Sequence, residues 1–240
     1  MSPSPMNDGP RIRYRFDLPD GSQKVFDFRF DAKDFRLINP SPAVPPFWTE
    51  LEFNKCANCP LNAAAHPHCP PALQMADAVE QLAALVSFDT VGVTVQQGER
   101  TVYAEISAQQ ALSSVLGLIM ATSGCPWTDL LRPMARFHLP FASDAETVYR
   151  SVTMYLLARE LVGDAGAEGF ESLGSLYKSL HIVNRDMSRR LGAATRTDPA
   201  RNAIALLDSY TTLLPAAIEG SLDELRPLFE PWKIFAPKPI

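Results

Sequence analysis

In two hairpin-like stretches before Ser107 the apolar residues of this chain recur at every second position, and beyond it at every third or fourth. A period of two belongs to strands with one buried face, and a period near 3.6 belongs to amphipathic helices. The chain is therefore committed to a sheet in its first half and to helices in its second. Ile12, Tyr14, Phe16 and Leu18 alternate with Arg11, Arg13, Arg15 and Asp17; Pro19-Asp20-Gly21 supplies a turn; Phe26, Phe28 and Phe30 resume the alternation. Short strands are expected at 35–38 and, after the Pro-rich stretch 39–46, at 48–53. A second hairpin, 90–95 with 101–106, turns at Gln97-Gly98-Glu99. These segments predict a mainly antiparallel sheet of five or six strands.

Helix starts in the second half carry capping chemistry. Ser107 with Gln110, Ser143 with Glu146 and Ser221 with Glu224 each fit a capping box, and Asp198-Pro199 places an acceptor before a first-turn proline. Helices are expected near 108–122, 144–162, 170–191, 199–219 and 222–229. Leu173, Leu176, Leu180, Val183 and Met187 form one apolar stripe; Ile204, Leu207, Leu214 and Ile218 form another. The fold class that follows is α+β, with a sheet-forming part at 1–107 packed on a helical part at 108–240.

Composition matters most for the cysteines. A chain of 240 residues can bury a core large enough to need no disulfide framework, so its four cysteines call for another explanation. Cys56 and Cys59 form a C-x2-C pair, Cys69 follows in Ala-His66-Pro-His68-Cys69-Pro70, and Cys125 stands alone far downstream. A C-x2-C turn puts two sulfurs on one side, and two more thiolates complete a tetrahedral set. Cys59, Cys69 and Cys125 are each followed at once by proline, which favours the first helical position. Each is thus expected at or near a helix N-terminus, where free N–H groups and the helix dipole stabilise a thiolate. Helices are expected to open at 61–65, 72–86 and 127–131.

On these grounds Cys56, Cys59, Cys69 and Cys125 are expected to converge as ligands of a 4Fe-4S cluster with a redox, sensory or structural role. Structural zinc in an interaction module is the alternative. His66 and His68 are substitute ligands, and His138 a hydrogen-bond donor behind them. A thiol-disulfide function is the lesser alternative, since the C-x2-C does not follow a strand in a βαβ unit.

Other classes are disfavoured. Net charge is −5, with 22 Lys and Arg against 27 Asp and Glu, which argues against a nucleic-acid backbone as main partner. The N-terminus lacks a basic and then apolar leader, and the longest apolar run, Val115 to Ala121, falls far short of the roughly 20 residues of a membrane span. A cytoplasmic protein is expected. Phosphate loops, nucleophile elbows and dinucleotide glycine fingerprints are missing, so nothing points to a hydrolase or a transferase. His181, Arg185 and Arg189 share a helical face, whose sharper reading is a docking surface for an acidic partner and whose plainer one is a solvated face with local ion pairs.

Overall fold

A computed structural model describes residues 9–163, 171–194, 198–209, 211 and 225–235. Strands β1 (Arg11–Asp17), β2 (Gln23–Arg29), β3 (Thr90–Gln97) and β4 (Arg100–Ser107) form one antiparallel sheet in the order β2-β1-β3-β4. The alternation fixes its register: Tyr14 lies opposite Phe26 on one side and Val95 on the other. Ile12, Tyr14, Phe16, Val91 and Val93 are fully buried on one face. The other face carries charges, with Arg13 paired to Asp27 and Arg15 to Asp17. Both hairpin turns place glycine at positive φ, Gly21 at 82° and Gly98 at 59°, where a side chain would be strained.

The sheet has four strands among the described residues, against an expected five or six. Leu37 makes an isolated bridge to Phe30, and Glu50 one to His68, without extending into strands. Residues 47–53 form a 3-10 turn, Phe47–Thr49, followed by further turns. The alternation there failed because Trp48, Thr49 and Leu51 are all buried, a spacing that a strand with one buried face does not give.

Helices follow at α1 (Pro70–Gln81), α2 (Ala108–Thr122), α3 (Arg132–Arg136), α4 (Asp144–Val162), α5 (Glu171–Ala194) and α6 (199–209). Ser107 and Ser143 close the expected capping boxes with Gln110 and Glu146, each worth about 1 kcal/mol. The Ser221–Glu224 box, Leu214 and Ile218 lie outside the described residues. Helix α2 is apolar nearly all round and sits at the centre of the molecule, packed against α1, α3, β3 and β4. One core joins the sheet's buried face to α1, α2, Val183 and Met187 of α5, and Ile204 of α6. A second, smaller cluster packs Val148 and Val152 of α4 on Leu173, Tyr177 and Leu180 of α5. No described helix is long and apolar enough to cross a membrane.

Candidate functional site

The cysteine-bearing loop is fastened to α5 by polar contacts of very long sequence separation. Arg190, 1% exposed, donates to the carbonyl oxygens of Trp48 and Glu50 at 2.7 Å each and of Leu51 at 3.1 Å. One turn earlier Asp186 accepts the Ala57 N–H at 2.8 Å, and Asn58 donates to the Ser179 carbonyl at 3.1 Å. The Trp127 indole donates to the Asn58 carbonyl at 2.8 Å, which draws in the segment bearing Cys125. Burial alone would raise the Asp186 pKa, but the Ala57 N–H, Arg185 and Arg189 outweigh it and hold the carboxyl below its usual range.

This fastening brings Cys56, Cys59, Cys69 and Cys125 to the wall of one cavity, with Leu51, Leu61, Trp127, Val183 and Met187. The cavity is only about 20 Å³, room for little more than a water molecule. Among the described residues no group of three or more His, Cys, Asp or Glu side chains could hold a metal ion. This overturns the expected metal-binding function, with its iron-sulfur and zinc versions.

The thiolate argument fails for a second reason. Only Cys69 stands at the N-cap of a helix, α1, where the Ala72 N–H near its thiol lowers the pKa without a capping hydrogen bond. After Cys59 the chain turns without a helix, because the Asn62 side chain accepts the Ala65 N–H. After Cys125 a 3-10 turn, Thr128–Leu131, begins only at the third residue. Burial, with the neighbouring thiols, pushes Cys56 up to about 12; burial pushes Cys69 up to about 11 despite the Ala72 N–H and Arg190. These thiols are protonated at neutral pH and pack as small apolar groups.

The histidines are dispersed. His66 is exposed; His68 bonds Thr49 through Nδ1 at 2.9 Å; neither lines the thiol cavity. Arg185 and Arg189 both lean on Asp186, at 3.0 and 3.5 Å, and remain about half exposed. His138 belongs to a different site, which sequence reasoning missed.

That site is a cavity of about 310 Å³ between α2, the α3–α4 segment, α5 and α6. It exists because α2 presents Ser113, Gly117 and Ala121, spaced four apart, on the side facing it. Leu180 and Leu131 supply apolar wall, and Leu207 of α6 closes on Gly117, where an added Cβ would lie 3.3 Å from its Cδ2. The signal was present as a run of small residues inside an otherwise large-apolar helix.

The cavity's polar groups are few and mostly engaged. The Tyr14 hydroxyl, fully buried on the sheet, bonds Ser114 at 2.8 Å and His138 Nε2 at 2.5 Å. Burial, with Arg150 nearby, pushes His138 down to about 3, so the ring is neutral. Tyr177 shares a hydrogen bond with Ser151 at 2.5 Å, and burial raises its pKa. Arg150 donates through Nη2 to the Met134 carbonyl at 2.6 Å and the Phe137 carbonyl at 3.0 Å. Asn184, 5% exposed, lines the cavity with no hydrogen-bond partner for its amide among the described residues.

Fold and site together define an α+β protein with a half-open, largely apolar cavity among its helices. Residues 12–230 match the family described as "Domain of unknown function (DUF6901)", and the chain belongs to that family. No curated protein and no solved structure matches it.

Proposed function

We propose that this protein binds a small, mostly apolar molecule in the cavity between α2, α4, α5 and α6. The observation that carries the reading is the cavity of about 310 Å³ itself, apolar over most of its wall and with the Asn184 amide on that wall. A ligand's polar group can pair with that amide, a hydrogen bond worth about 1 kcal/mol. Apolar walls with a few placed polar groups are the usual make-up of a small-molecule site. At the roughly 30 Å³ that a water occupies in the liquid, 310 Å³ corresponds to about ten non-hydrogen atoms. A ligand of that size is expected to bind with Kd on the order of 10–100 μM. The four unpaired thiols suit a reducing compartment, which supports a cytoplasmic location.

Ligand-observed NMR with 4-phenyl-1-butanol tests the reading. Saturable one-to-one binding is expected in the native protein, with loss in Leu131→Trp, which fills the cavity and whose folding circular dichroism checks. Binding that does not saturate, or that persists unchanged in folded Leu131→Trp, would sink it.

A further inference from the structure

The cavity's charge narrows the ligand class, an inference that rests on the binding reading above. Arg150 is the cation on its wall, and the described residues give it no carboxylate to pair with. Both hydrogen bonds found for it run from Nη2 to backbone carbonyls. The nearest acid it senses, Glu146 one turn earlier on α4, is held by the Ser143 hydroxyl and N–H in the capping box. A guanidinium has five N–H donors, so Nε and Nη1 remain for another acceptor. The other titratable groups beside it are neutral. His138 is bound to Tyr14, and Tyr177 to Ser151. Asp208, on α6, is occupied by His181 at 2.7 Å.

The two polar anchors are well separated. Tyr177 of α5 lies next to the α4 turn that carries Ser151 and Arg150, while Asn184 is seven residues further along α5. Seven residues of helix rise about 10 Å. Between them the wall is apolar, with Leu180 and the small residues of α2. We propose that the ligand is an apolar monocarboxylate, its acid group on Arg150 and its body extending along α5 towards Asn184. Arginine suits this task because its charge makes a hydrogen bond from Nη1 or Nε to a carboxylate stronger than a neutral one, and the surrounding apolar wall strengthens it further.

The matched pair 4-phenylbutanoate and 4-phenylbutanamide, equal in size and differing in charge, tests this by isothermal titration calorimetry. The native protein is expected to bind the acid at least tenfold tighter than the amide at neutral pH, with the preference shrinking as salt rises. Arg150→Met should abolish the preference while keeping amide binding, and Arg150→Lys should retain part of it. Equal affinity for acid and amide in the native protein would overturn the acid assignment and leave the cavity reading standing. Absence of binding by either compound would overturn both. If Arg150→Met does not fold, the native acid-to-amide ratio and its salt dependence still decide.

Discussion

At the residue scale, His138 shows how a side chain's surroundings set its chemistry. It was read as a hydrogen-bond donor behind a metal site, yet it sits against Tyr14 in the larger cavity with its pKa held down to about 3. The unfolded chain takes up a proton here near pH 6.5, and the folded chain does not. Stability should therefore fall as pH drops from about 6.5 towards 3, by about 2 kcal/mol between pH 7 and pH 5. Urea denaturation at each pH will read this fall, and His138→Gln, which can still accept from the Tyr14 hydroxyl, should lack that part of it. The cysteines carry the same lesson. Proline after each of three cysteines was read as a helix start that would ionise the thiol, but only Cys69 stands at the N-cap of a helix, and burial raises its pKa all the same. Local sequence records a capping preference; the desolvation that decides ionisation comes in large part from Trp127, Val183 and Met187, which lie far from Cys69 in the chain.

Among the elements, the hairpins and the capped helices could be read directly, because alternation and capping boxes are local. Residues 47–53 could not. A strand would give its carbonyls to a neighbouring strand, whereas those of Trp48, Glu50 and Leu51 go to Arg190. Nothing within seven residues announces a partner 139 to 142 positions away. Replacing Arg190 by Met should strand three carbonyls at once and lower stability by about 3 kcal/mol or more, measured by urea unfolding. Arg190→Lys should recover less than half of the loss, since an ammonium cannot present the fork that reaches three acceptors, nor the planar face that lies over Phe53. The cavity was missed at this same scale. The apolar run of α2 is too short to span a membrane and was weighed no further, while the spacing of Ser113, Gly117 and Ala121 along the helix marks where the core is left open.

For the whole molecule, the α+β class was legible because the period of two lies in the N-terminal half and the period near 3.6 mostly in the C-terminal half, although α1 stands between the two hairpins. How the two parts are joined was not. One apolar core runs from the sheet's buried face through α2 to α5 and α6, and the Arg190 and Asp186 contacts add polar ties between early and late segments. Unfolding should accordingly be a single event. Tryptophan fluorescence, to which Trp48 and Trp127 near the ties contribute two of the three tryptophans, and far-ultraviolet circular dichroism, which follows the helices, should give coincident urea transitions. Two separated transitions would show that sheet and helical parts unfold independently.

The Arg190 tie also sets an order of events during synthesis. The loop that carries Cys56 and Cys59 leaves the ribosome before the side chain that holds its backbone has been made. At about 5–20 residues per second, some 140 residues of delay amount to roughly 10–30 s. During that interval both thiols face the surrounding solution without their enclosing wall. The nascent chain is thus more exposed to oxidants and alkylating agents at positions that the finished protein partly covers, and the window narrows only when α5 arrives.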